Sequence, residues 1–213
     1  MHSLIKNCLK QCQAILLPYY CIICQSKSKQ ALDICKACES ELPFIKENAK
    51  RDNLQALMQY KAPISTFITQ LKFQQQLKFS RLLGALFVKH IELENKPDFI
   101  IPIPLHPKRL KQRGFNQSLE IAKVISKKLK IPIDYKSLIR IKHTQTQSEL
   151  PAKERKRNVK SAFHCHTDFT GQTILLLDDV ITTGHTISET YKTLEKANPS
   201  KIDIWAIART ERT

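Results

Sequence analysis

Apolar residues along this chain fall into two kinds of run. Unbroken stretches, Phe99-Ile100-Ile101 and Ile174-Leu175-Leu176-Leu177, predict short buried strands, and Ile202 to Ala208 around Trp205 predicts a third. Elsewhere apolar positions recur at helical spacing. Ile64, Phe67, Ile68 and Leu71 form one such set, and Leu82, Leu83, Leu86 and Phe87 another. A helix from about Asn116 to Lys130 should turn Leu119, Ala122, Ile125 and Leu129 inward, and one from Thr186 to Ala197 has Ile187, Tyr191 and Leu194 on one side. Residues 3 to 17 read as a short helix with Cys8 and Cys12 on its apolar side. Pro43 and the polar run Lys46 to Asn53 read as a linker. The stretch 140–160 has no apolar period and is longer than an ordinary connection.

The central apolar strand is followed by Asp178-Asp179, then Val180-Ile181-Thr182-Thr183-Gly184-His185-Thr186, then the helix. That order places the loop's amides at a helix N-terminus, where free N–H groups and the helix dipole favour a phosphate. Gly184 can take a positive φ and bring backbone close to an anion, and Thr182, Thr183 and Thr186 add hydroxyl donors. Two carboxylates beside such a loop can accept from a sugar diol or hold hydrated magnesium. A phosphate next to a diol is a phosphorylated ribose. An acidic turn ahead of a threonine-capped helix fits the same residues.

The second strand leads into a basic stretch: His106, Lys108, Arg109, Lys111 and Arg113, then Gly114-Phe115-Asn116-Gln117. Arginine grips phosphate oxygens with a two-pronged donor set, so this loop suits an anion, although a solvated basic loop reads the same way. Lys72, Lys78, Arg81 and Lys89 lie on polar helix faces, where solvation is the ordinary explanation. Across 213 residues, 35 basic against 19 acidic side chains give a net charge of +16 and a pI near 9.6. Such a field attracts polyanions. Few aromatics accompany the basic runs, so base stacking beside them should be weak. The eleven uncharged residues Ala14 to Cys24 are interrupted by Pro18 and too short to span a membrane, which points to a cytosolic protein.

Cys21-Ile22-Ile23-Cys24 and Cys35-Lys36-Ala37-Cys38 are two C-x2-C knuckles ten residues apart. Each knuckle turns both sulfurs toward one ion, and four thiolates complete a closed tetrahedral zinc site that folds a segment too small for its own core. Disulfides are the weaker reading in a reducing compartment. His164-Cys165-His166 looks like a ligand cluster on paper, but consecutive residues of an extended segment point to opposite faces.

The apolar–Asp-Asp–Thr-Thr-Gly-x-Thr run resembles the phosphoribosyl pyrophosphate (PRPP) motif of type I phosphoribosyltransferases. Three further features together resemble the ComF family of competence-associated proteins. They are Leu-Leu-Pro-Tyr-Tyr-Cys-x-x-Cys with its second knuckle, Arg109 to Gln117 ending Arg-Gly-Phe-Asn-Gln, and Gln147-x-x-Leu150 with Arg155-x-x-Asn158 and Ala162-Phe163. The resemblance implies a type I phosphoribosyltransferase-like α/β fold: a mostly parallel sheet flanked by helices, with an N-terminal zinc finger. It implies that Asp178 and Asp179 contact the ribose hydroxyls and serve catalysis, and that Val180, Thr182, Thr183, Gly184, His185 and Thr186 complete the PRPP site. By the same analogy Lys108, Arg109, Arg113 and Asn116 face pyrophosphate, while Gln147, Arg155 and Asn158 belong to a lid that closes over substrate.

The expected organisation is therefore residues 1–45 for the N-terminal helix and zinc finger, 46–95 for a helical bridge, and 96–213 for the phosphoribosyltransferase-like domain. The resemblance implies magnesium with PRPP, zinc in the finger, and a role with single-stranded DNA. It places that role at the cytoplasmic side of the inner membrane, peripherally and alongside other DNA-uptake proteins. A nucleobase-salvage transferase, a PRPP sensor without turnover, and a nucleic-acid-binding module on the same scaffold stay open. The acceptor of a transferred phosphoribosyl group is not readable from the chain.

Overall fold

The computed structural model describes residues 19–30, 32–45, 53–93, 95–143 and 160–210. The expected helix over residues 3–17, with Cys8 and Cys12, lies outside them. So do the lid residues Gln147, Arg155 and Asn158. The chain divides into two compact units, Met1–Leu42 and Pro43–Thr213.

The first unit is built by turns. The Cys21–Cys24 knuckle is closed by an antiparallel bridge between Tyr20 and Lys27 and by the Gln25 amide donating to the Cys21 carbonyl at 2.8 Å. The second knuckle opens helix α1, Lys36–Ser40, with Cys35 as its N-cap. Ile34 is fully buried, and Gln30 Nε2 donates to the buried Glu39 carboxylate at 2.8 Å, so a very small core is supplemented by polar ties.

The second unit runs β1 (Leu54–Gln59), α2 (Ile64–Gln74), α3 (Lys78–His90), β2 (Phe99–Pro102), α4 (Pro107–Arg113), α5 (Gln117–Leu129), β3 (Leu138–Arg140), β4 (Phe163–Cys165), β5 (Thr173–Ile181), α6 (His185–Glu195) and β6 (Lys201–Arg209). Four strands form a wholly parallel sheet in the order β1-β6-β5-β2, and β3 pairs antiparallel with β4. Ile174 and Leu176 of β5 cluster with Ile202 and Ile204 of β6 and with Ile187 and Leu194 of α6. The alternate residues Leu175, Leu177, Trp205 and Ile207 are buried as well, and Trp205 meets Phe87 of α3 at 5.0 Å between ring centroids. Burial of alternate residues explains why the strands read as continuous apolar runs, the signature of a parallel sheet covered on both faces.

Several expectations are corrected. The segment 46–95, expected as a helical bridge, belongs to the second unit and contributes the edge strand β1 to the sheet. Pro43 is no linker residue: its carbonyl accepts from the Gln59 amide at 2.8 Å, and Phe44 bridges Met58. The basic loop after β2 is a helix, α4, started by His106 as N-cap with Pro107 in its first turn and stopped by Gly114 at φ 83°. The buried face of α5 is Gln117, Ser118, Ile121, Ala122 and Ile125, with Leu119 and Leu129 only half-buried. Close packing sets that face. A Cβ built on Gly84 of α3 would lie 2.8 Å from Val124 Cβ and 3.2 Å from the Ile121 carbonyl oxygen.

Candidate functional site

The two acids do not follow the central strand; they are part of it. β5 continues to Ile181, whereas β2 stops at Pro102 opposite Leu177. Asp178 and Asp179 therefore project beyond the end of β2, at the carboxyl edge where ligands of open parallel sheets bind. Both are buried, at 8% and 2% exposure.

The N-terminus of α5 holds them. Asn116 caps this helix, accepting from the Ser118 and Leu119 amides at 3.0 and 3.4 Å, and its Nδ2 donates to the Ile103 carbonyl at 2.9 Å. The next two residues then reach the acids. Ser118 Oγ donates to Asp178 Oδ1 at 3.1 Å, and Gln117 Nε2 donates to Asp179 Oδ1 at 3.2 Å. The Asp179 amide also donates to Asp178 Oδ1, at 2.9 Å. Lys72 of α2 forms an ion pair with Asp179 Oδ2. Burial pushes the Asp178 carboxyl up to about 7 and the neighbouring Asp179 charge adds to this, while Lys72 and the two hydrogen bonds oppose it.

Beyond the acids the chain turns at Gly184, φ 74°, straight into α6, whose first turn has no side-chain cap. Among the described residues a Cβ on Gly184 would meet nothing within 4 Å. Thr183 Oγ1 lies 3.1 Å from His185 Nδ1, and Thr190 Oγ1 donates to the Thr186 carbonyl at 2.8 Å. Uncapped amides beside a glycine in the left-handed region are suited to phosphate oxygens.

The basic flank comes from α4 and β3. Arg113 Nη1 donates to Gln117 Oε1 at 2.9 Å, which links this guanidinium through Gln117 to Asp179. Arg140 is buried at 8% exposure, and desolvation, reinforced by Arg109, lowers it to about 10 against the pull of Asp178. His106 and His143 approach edge to face at 5.0 Å. Strands β3 and β4 carry the two ends of the expected lid, tied by Lys142 Nζ donating to the Lys160 carbonyl at 2.9 Å.

Of the residues singled out in the sequence, Asp178, Asp179, Arg113 and Asn116 are joined through α5. Thr182, Thr183 and Gly184 form the adjoining loop, and His185 and Thr186 open α6. Val180 is half-buried in β5 opposite Ala208. Lys108 donates its amide to His106 within α4, while Arg109 acts electrostatically on Arg140. Sequence reasoning missed Lys72, Gln117, Ser118 and Arg140. A signal existed for Gln117 and Ser118, because both share a helical face with Ile121, Ala122 and Ile125. Lys72, expected on a solvated face, is instead paired with the buried Asp179.

A second site stands by itself in the first unit. The sulfurs of Cys21, Cys24, Cys35 and Cys38 all lie within 4.8 Å of one another, and Cys24 Sγ to Cys35 Sγ is 3.7 Å. Tetrahedral zinc–thiolate bonds place sulfurs about 3.8 Å apart, so the donor set fits a four-thiolate metal site. The crowding shows in the thiols: Cys24 falls to about 6, chiefly through the Ser26 hydroxyl, while its neighbours Cys24 and Cys35 help push Cys38 up to about 12. Cys165 is separate. It is half-buried in β4, with its Sγ 3.5 Å from the Thr167 carbonyl oxygen, and burial raises its thiol.

The phosphoribosyl transferase domain model matches residues 69–212. Competence protein F of Haemophilus influenzae is 34% identical over 206 residues, covering 89% of this chain and 90% of that protein. The chain belongs to the competence protein F family. Other relatives match at lower identity. The DNA utilization protein YhgH of Escherichia coli (strain K12) is 29% identical over 204 residues, covering 89% of this chain and 90% of its own. Competence protein ComFC of Streptococcus pneumoniae is 24% identical over 155 residues, covering 72% of this chain and 67% of its own. In this chain a parallel phosphoribosyltransferase sheet is flanked by helices and accompanied by a four-cysteine cluster. Among the described residues no helix is long and apolar enough to cross a membrane.

Proposed function

We propose that this family member binds PRPP with magnesium at the carboxyl edge of β5, and that the site serves the handling of single-stranded DNA in natural competence, on the cytoplasmic side of the inner membrane. The observation that carries the reading is the juxtaposition of a buried acid pair with the uncapped α6 N-terminus behind Gly184. The names of the relatives, which speak of competence and DNA utilization, support the biological half.

In this reading the amides of Thr182 to Thr186 receive the 5′-phosphate, and Asp178 and Asp179 accept hydrogen bonds from the ribose hydroxyls. Lys108, Arg109, Arg113 and Asn116 line the pyrophosphate side, and Gln147, Arg155 and Asn158 close over it and exclude water. Bound magnesium supplies charge neutralisation on the pyrophosphate. Transfer would break the C1′–O bond as a nucleophile arrives, and the acid pair's negative field stabilises the positive charge that develops on the sugar. Zinc, held by Cys21, Cys24, Cys35 and Cys38, would fold the first unit and leave no open position for chemistry.

The test is a thermal shift with magnesium-PRPP. Ligand at a hundredfold excess over Kd adds about 2.7 kcal/mol to the native state, an easily read rise in Tm. The rise should vanish in Asp178→Ala and Asp179→Ala; persistence in both sinks the proposal.

A further inference from the structure

The largest exposure of any big apolar side chain among the described residues is at Phe73, 68% open in the last turn of α2. Single exposed apolar residues are common and need no explanation by themselves. This one is held. The Arg113 guanidinium stacks over its ring at 5.3 Å, and Arg113 is itself anchored on Gln117 Oε1 at 2.9 Å. Gln117 holds Asp179, as does Lys72, the residue preceding Phe73. The ring is therefore fixed at the rim of the acid-pair site, with one face against a cation and the rest open to water. Along α4 the same arginine is followed back by Lys111, Arg109 and Lys108, a run of cations suited to successive phosphates.

We infer that the Phe73–Arg113 pair is a stacking platform for a base of single-stranded DNA, whose phosphates run along α4. The inference rests on the DNA-handling half of the proposed function. An open ring without enclosing walls fits a base that still carries its chain on both sides. A free nucleobase instead needs a closed pocket with polar groups on its edge. Stacking on an aromatic face beside a basic track gives binding that tolerates sequence. The pairing was invisible in the sequence because Phe73 lies forty residues ahead of Arg113 and outside every basic run.

The test is fluorescence anisotropy of the full chain with a labelled oligo-dT strand and a matched abasic strand. Wild type should bind oligo-dT more tightly. Phe73→Ala should weaken oligo-dT binding by roughly tenfold, the low end of base–aromatic stacking, and leave the abasic strand unchanged. Phe73→Tyr, which keeps the ring, should restore oligo-dT binding. The salt dependence should be equal in all three proteins, because no charge is removed. Equal affinity of Phe73→Ala and wild type for oligo-dT overturns the platform alone, as does an equal loss on both strands. Failure of wild type to bind oligo-dT at low salt overturns the DNA reading as well. A free base that raises the wild-type Tm but not that of Phe73→Ala, without a difference on oligo-dT, overturns it in favour of an acceptor pocket.

Discussion

Replacing Lys72 by methionine removes the ammonium from Asp179 while keeping an unbranched side chain on α2. The two acids are 8% and 2% exposed and adjacent in one strand, and the Lys72 side chain is 21% exposed. Taking one partner from a buried ion pair costs about 3–5 kcal/mol. Partial solvation of Lys72 and the nearby charge of Arg113 put the expected loss at the lower end, about 3 kcal/mol. The loss falls on ionised carboxylates only. Asp178 already stands at about 7 with Lys72 holding it down, so in the variant this carboxyl gives up its proton at still higher pH. A carboxyl whose folded-state pKa is above its unfolded value favours the fold at low pH and weakens it as pH rises through the folded pKa. Lys72→Met should therefore be mildly destabilised at pH 5.5 and fully so at pH 8.5. Urea unfolding followed by Trp205, the single tryptophan and a buried one, reads this directly. Subtracting wild type at each pH removes the histidines' contribution. An equal loss at both pH values would mean that Lys72 contributes packing alone, and the electrostatic account of the site would be refuted.

By the same sign, wild-type stability should fall between pH 4 and pH 8 through the raised Asp178 carboxyl, and Asp178→Asn should flatten that slope in urea titrations across the range. Gly84→Ala places a methyl 2.8 Å from Val124 Cβ, so it should lower stability by about 1–3 kcal/mol despite alanine's better helix propensity, measured as a drop in Tm. Purified chain should release one zinc ion when its thiols are modified, counted with a chromophoric chelator; Cys38→Ser should release none, and retention of a full equivalent would reject the four-thiolate site.

Much of this architecture was legible because its signals are local. The β5 run, the Asp-Asp pair, Gly184 and the cysteine knuckles each declare themselves within a few residues. What escaped was whatever required a partner from elsewhere. β1 is short and only half-buried over most of its length, and its one apolar run, Ala56-Leu57-Met58, has no β-branched or aromatic residue to mark it as a strand. α4 was hidden because its seven residues bury no side chain and so show no apolar period, although His106-Pro107 and Gly114 mark its ends. Lys72 follows the buried stripe Ile64, Phe67, Ile68 and Leu71 by one position, and a charge there reads as solvated until β5 is packed beside it. Arg140 opens a polar, aperiodic stretch, and only the pairing of β3 with β4 reveals that it is buried.

Gln117 and Ser118 are consecutive residues of one helix, and each grips a different member of the acid pair. The two carboxylates are thus yoked to a common beam and share its movements. That beam is wedged against α3 at Gly84, a point with no chemistry of its own. Disturbance there, whether from a bulkier side chain or from a protein leaning on α3, is transmitted to both acids at once, so the aim of the site is governed by the seating of a helix.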